Sequence, residues 1–221
     1  MTSRLALIAA MLVLVPPPQF AGAEPEPRDA IAELDSLLGG ISSLSADVTQ
    51  MIVESGGGLL EESAIRMRLR KPGGFYWETL EPFPELIVTD GRTLWNYQPD
   101  LEQVVIEDWD SGRAELAAQL LSGETAGLAG EYRVDLAAVA ELRRFELTPL
   151  APDSPHALIV IEFVEDAMEE MRLDHIRLEN RNGQQTLWRF ANLRRNESLA
   201  LELFRFEPPP GIEIVDSRGA N

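Results

Sequence analysis

The sequence contains no cysteine. That excludes disulfides, thiolate metal ligands, cysteine nucleophiles and acylated cysteines in one step. It also excludes a chain that is itself anchored through a lipidated N-terminal cysteine. Cations are scarce: 19 Lys and Arg stand against 37 Asp and Glu, a formal net charge of −18. Duplex nucleic acid is therefore excluded as a partner, because its affinity rests on many Lys and Arg contacts to phosphate. Docking on an anionic lipid surface through a basic patch is excluded for the same reason. Histidine occurs twice, at His156 and His175, without His-x-x-x-His or Glu-x-x-His spacing, so no metal site is expected. There is no Gly-x-Ser-x-Gly elbow, Walker-type loop or complete dinucleotide fingerprint. Nothing assembles a nucleophile, a base and an oxyanion site, so the chain is not read as an enzyme and no cofactor is expected.

What is present is a globular composition, with 45% hydrophobic residues. The first 23 residues form a class of their own: Arg4, an apolar run from Leu5 to Val15, Pro16 to Pro18, and the small-x-small triplet Ala21-Gly22-Ala23. This is the pattern of a cleaved secretory signal peptide, and the run is too short for a membrane span. Residues 24–221 are expected to form one exported domain. Ile31, Leu34, Leu37, Leu38 and Ile41 make the stripe of an amphipathic helix ending near Gly39-Gly40.

The period then changes to two. Ile65, Met67 and Leu69 alternate with Arg66, Arg68 and Arg70. Strands are expected around Phe75 and Trp77, Leu86–Thr89, Thr93–Tyr97 across an Asp90-Gly91 turn, and Gln103–Asp108. Five more are expected at Phe145–Leu147, Leu158–Phe163, Met171–Glu179, Thr186–Phe190 and Leu199–Phe206. Gly112–Leu121 has a helical pattern, and Ala126–Glu141 is ambiguous. Antiparallel strands interrupted by a few helices make a mainly β (α+β) chain, a strongly curved sheet or open barrel with helices on one side.

The stretch from Arg70 to Gln103 carries a more specific pattern. It reads Arg-Lys-Pro-Gly-Gly-Phe-Tyr-Trp-Glu, then Pro-Phe-Pro-Glu, then Asp-Gly-Arg-Thr-Leu-Trp-Asn-Tyr-Gln-Pro-Asp-Leu-Glu-Gln. Phe204-x-Phe206-x-Pro208-Pro209-x-Gly211-x-x-Ile214 closes the chain. Together with the leader and the first helix, these segments resemble the outer-membrane lipoprotein carrier proteins of Gram-negative bacteria. The resemblance implies a single-domain, unclosed, strongly bent antiparallel β-barrel with a helical lid over an apolar cavity. It also implies a periplasmic role: taking lipoproteins by their acyl chains from an inner-membrane ATP-driven release complex, an ABC transporter, and passing them to an outer-membrane receptor. A monomer is expected. The alternative is an envelope module of the same fold that binds or senses lipids or lipoproteins without transferring them.

Strand parity supplies candidate cavity walls: Ile65, Met67 and Leu69; Phe75 and Trp77; Trp95 and Tyr97; Trp188 and Phe190. Each set also has a plain reading as ordinary core. The resemblance further implies that Phe75 accepts cargo at the transporter, against a bland reading as packing. Lys71 stands where the family usually has Arg before Pro, a residue that latches the lid by bonding backbone carbonyls. An ammonium lacks the planar fork of a guanidinium, so Lys71 reads either as a latch or as a solvated cation.

Overall fold

A computed structural model describes residues 27–109 and 128–219. The expected signal peptide and the helical pattern at Gly112–Leu121 lie outside the described residues. The elements run α1 (Pro27–Gly39), β1 (Ser43–Val53), β2 (Leu59–Arg70), β3 (Gly74–Glu81), β4 (Glu85–Thr89), β5 (Thr93–Gln98) and β6 (Gln103–Asp108). After a one-turn helix, α2 (Leu128–Glu131), come β7 (Tyr132–Val139), β8 (Leu142–Pro149), β9 (His156–Glu165), β10 (Met171–Asn180), β11 (Gln185–Arg195) and β12 (Glu213–Asp216).

All twelve strands join one sheet in the order β12-β6-β5-β4-β3-β2-β1-β11-β10-β9-β8-β7. β7 and β12 are its two edges, so the curved sheet is an unclosed barrel. Every pairing is antiparallel except β12 on β6. The hairpins β1–β2, β3–β4, β5–β6 and β10–β11 turn at one end, here the upper end. The start of β1 and the β2–β3 turn mark the lower end.

The inner face is set by register. Leu44, Ala46 and Val48 of β1 oppose Leu69, Met67 and Ile65 of β2. Met67 and Leu69 oppose Trp77 and Phe75 of β3. On the other flank Phe190 opposes Val48, Trp188 opposes Ile176, and Ile176 continues to Ile161 and Phe145. Helix α1 lies on this face and contributes Ala30, Leu34 and Leu38, which are 0–1% exposed, to one continuous buried cluster. A 13-residue helix is too short to persist alone in water. Its stability comes from this apolar stripe, about 1.5–3 kcal/mol for each large side chain buried.

Three expectations about elements change. β1 replaces what the sequence reading left unassigned, although Leu44-Ser45-Ala46-Asp47-Val48-Thr49 alternates cleanly. The ambiguous Ala126–Glu141 region resolves, in its described part, into α2 and β7. Leu199–Phe206 is not a strand: it contains a 3-10 turn, Leu201–Phe204, followed by extended chain. The physical reason is that the strands it crosses offer no free edge: β3, β4 and β5 are each paired on both sides, so the segment docks on their outer face by side chain, and the chain reaches an open edge only where β12 joins β6. Phe204, 2% exposed, lies against Gly74, where an added Cβ would meet its ring at 3.0 Å.

Candidate functional site

Seven of the nine expected wall residues share the inner face and the buried cluster: Ile65, Met67, Leu69, Phe75, Trp77, Trp188 and Phe190. Phe75 is 8% exposed and stacked on Trp77 at 5.9 Å between ring centroids. Trp95 and Tyr97 are not. Trp77 opposes Ile87, and Ile87 opposes Asn96, whereas Trp95 opposes Val88 and Tyr97 opposes Leu86. Both rings therefore lie on the outer face, with Val104 and Ile106 of β6. Tyr97 stacks on Phe206 at 5.1 Å. Parity correctly grouped each pair of rings, but it did not say which face was inward.

The inner face in β4–β6 is instead formed by Ile87, Leu94, Asn96 and Val105, all half-buried. The Oδ1 atom of Asn96 is buried there without a hydrogen-bond partner. Such a group carries a desolvation cost until something donates to it. The sequence reading also missed the deep wall of Phe145, Ile159, Ile161 and Phe163, all at most 2% exposed. Their alternation within β8 and β9 was the available signal.

The lid is fastened at the lower end. α1 has no basic residue in its last turn, and its final carbonyls need partners. Lys71, the only lysine in the sequence, reaches across from the β2–β3 turn and donates from Nζ to the Leu38 carbonyl at 2.9 Å. A cation here also faces the negative end of the helix dipole. Burial pulls the Lys71 amine below its ordinary value, partly offset by the charge of Asp35. Two further ties hold the helix. Arg143 pairs with Glu33 at 3.0 Å, and Asn196 donates to the Gly40 carbonyl at 3.1 Å while accepting from the Ser42 N–H at 2.8 Å.

Among the described residues, no group of three or more His, Asp or Glu could hold a metal ion. No helix among them is long and apolar enough to cross a membrane. The outer face of β8–β11 carries ion pairs instead: Arg144 lies 3.5 Å from Glu162, and Glu162 lies 3.6 Å from His175.

Comparison with known proteins adds four findings. The chain is 33% identical over 186 residues to an outer-membrane lipoprotein carrier protein of Chromohalobacter salexigens, covering 84% of this chain and 86% of that one. It is 32% identical over 184 residues to the protein of the same name from Hahella chejuensis, covering 82% and 86%. A crystal structure of a LolA superfamily protein from Nitrosomonas europaea superposes with a TM-score of 0.47 at 11% identity, over 81% of this chain and 97% of that one. The family model described as outer membrane lipoprotein carrier protein LolA matches residues 39–207. With a match over that much of the sequence, the chain belongs to the outer-membrane lipoprotein carrier protein family.

Proposed function

We propose that this protein is a periplasmic, monomeric carrier that holds the acyl chains of lipoproteins against the inner face of its sheet. It takes them from an inner-membrane, ATP-driven release complex and hands them to an outer-membrane receptor. One observation carries this reading: a wall of large apolar side chains is covered by a short helix that polar ties fasten at its lower end. Exposing one 16-carbon chain to water costs on the order of 12 kcal/mol, at about 0.8 kcal/mol per methylene. A carrier must match that cost yet let the cargo go, so part of its wall has to be movable. α1 is the movable part. Acyl chains take the place of Leu34 and Leu38 on the wall, and reclosure of the helix helps expel them.

Lys71 is the latch in this scheme. It forms one hydrogen bond where a guanidinium forms two in a fixed fork. Lys71→Leu is expected to load cargo but deliver it poorly, and Lys71→Arg to retain delivery. Equal delivery by wild type and Lys71→Leu discards the latch. Phe75 is proposed as the residue that meets the incoming cargo. Because it is buried, Phe75→Glu carries a stability cost of its own. Phe75→Leu is therefore the cleaner probe, expected to fold and to lose loading efficiency.

The deciding experiment is a release assay on spheroplasts making a labelled outer-membrane lipoprotein. The purified protein should carry the label off the membrane as a soluble complex, in an ATP-dependent way. Failure with folded protein and competent spheroplasts rejects the carrier role and leaves a lipid- or lipoprotein-sensing module of the same fold.

A further inference from the structure

The inner wall is not apolar from end to end. Along β1, from the lower end, the inward residues are Leu44, Ala46, Val48 and then Gln50. Along β2 they are Leu69, Met67, Ile65, then Ser63 and Glu61. On β3, Phe75 and Trp77 give way to Thr79, and on β11, Phe190 and Trp188 give way to Thr186. Ile52 of β1, between Glu61 and Thr186, and Leu178 of β10, opposite Thr186, are apolar neighbours of this level. On β1–β3 and β11 the wall that begins under the Lys71 latch thus ends in a polar band beneath the upper hairpins, while Leu178, Ile159 and Leu147 keep it apolar on β8–β10.

Two hydrogen bonds organise that band. The indole N–H of Trp188, 4% exposed, donates to Gln50 Oε1 at 2.7 Å. The hydroxyl of Ser63, 2% exposed, donates to Glu61 Oε1 at 2.9 Å. The first bond fixes the carboxamide so that its oxygen is used and its NH2 remains to donate. The second uses one carboxylate oxygen and leaves the other to accept. Gln50 faces Ser63 directly across the β1–β2 ladder, and Glu61 lies two residues further along β2. A buried indole and a buried hydroxyl need one acceptor each. What Gln50 and Glu61 offer beyond that is a donor and a negatively charged acceptor, side by side, where the apolar wall stops.

We propose that Gln50 and Glu61 form the polar end of the acyl site and bind the secondary amide at the head of an acylated peptide. Its carbonyl takes the Gln50 donor and its N–H the free oxygen of Glu61. This rests on the acyl-carrier reading and deepens it by orienting the cargo, with tails toward the Lys71 end and peptide toward the upper hairpins. It also supplies discrimination. A free fatty acid presents only a carboxylate, which has no N–H to donate and is repelled by Glu61. An ester linkage satisfies one partner and an amide satisfies both.

The test compares two probes, an N-palmitoyl peptide and sodium palmitate, by titration calorimetry on wild type, Gln50→Glu and Glu61→Gln. Gln50→Glu keeps an acceptor for Trp188 and removes the donor. Glu61→Gln keeps an acceptor for Ser63 and removes the charge. Wild type is expected to prefer the palmitoyl peptide. Gln50→Glu should weaken that peptide about tenfold, the worth of a lost hydrogen bond of roughly 1.4 kcal/mol. Glu61→Gln should instead tighten palmitate several-fold and narrow the preference. Thermal unfolding of each variant identifies any that fails to fold, and either variant alone decides the point. Binding of both probes with an unchanged preference in a folded variant overturns the amide site and leaves the acyl reading standing. Binding of neither probe by wild type overturns both.

Discussion

In β1, β2 and β7–β11 the face toward α1 is dry below the band of Gln50 and Glu61, and the opposite face carries ion pairs such as Arg66–Glu78 at 2.6 Å and Arg144–Glu162 at 3.5 Å. In β4–β6 the arrangement is reversed. There the outer face is the better buried one, with Val88 1%, Val104 0% and Ile106 8% exposed and Leu86, Trp95 and Tyr97 half-buried beside the C-terminal crossing at Phe204 and Phe206, while inner-facing Ile87, Leu94 and Val105 are half-buried. One continuous sheet therefore has a packed half, stabilised from inside by α1, and an open half, stabilised from outside by the chain's own C-terminal segment. Such an arrangement leaves the inner face of these strands accessible without unfolding them. The strands of the open half bury Val88, Val104 and Ile106 on their outer side, so their inner side chains need not be buried to keep the fold.

The largest effect that would break this comparison is at Phe204. Phe204→Ala should cost about 4 kcal/mol in urea unfolding, by removing the centre of the outer core. It should leave palmitoyl-peptide affinity unchanged; a loss of affinity equal to that of a Trp77 variant would mean that the outer face is the binding face. Next comes Leu34→Ala in α1, expected to cost about 3 kcal/mol, against at most about 1 kcal/mol for Ile87→Ala in the open half. Equal losses would erase the distinction between the halves.

Smaller and opposite in sign is Asn96→Leu. Replacing the carboxamide whose Oδ1 is buried without a partner should raise stability by about 1 kcal/mol, read as an increase in the urea midpoint. A destabilised variant would show that Asn96 is satisfied in solution.

The smallest effect concerns pH at the seam of the two halves. Tyr76, on the outer face of β3 opposite Val88, has its hydroxyl pushed up to about 12, first by burial and then by its hydrogen bond to Glu78. The folded state thus keeps the phenolic proton longer than the unfolded state does. Its contribution is complete below about pH 10 and is lost as pH rises toward 12. Tyr76→Phe should flatten stability across that window, and an unchanged pH profile would remove Tyr76 from the account.

Some of the site was legible in residue order. The α1 stripe, the alternation in β2, and the ring pairs Phe75–Trp77 and Trp188–Phe190 are local periodicities, and local periodicity decides which side chains share a face. Trp95 and Tyr97 show the limit. All four residues Trp77, Ile87, Trp95 and Tyr97 are odd-numbered, and the first two do share a face. The four-residue turn after Thr89 pairs even-numbered β4 residues with odd-numbered β5 residues, as in Val88↔Trp95, and so turns Trp95 outward. A one-residue change of register flips every side chain to the other face.

Residue order alone sets the strand and helix periods and the end of α1 near Gly39-Gly40, because each depends on residues within a few positions of one another, and it carries the motif that marks the family. Only the tertiary structure decided which face of each strand is inside, that Lys71 meets the Leu38 carbonyl, and that the polar band of Gln50, Ser63 and Glu61 caps an apolar wall. Those facts depend on pairings between residues far apart in the chain. They depend also on a C-terminal segment that covers the outer face of strands already paired on both sides and joins the sheet only at the β6 edge.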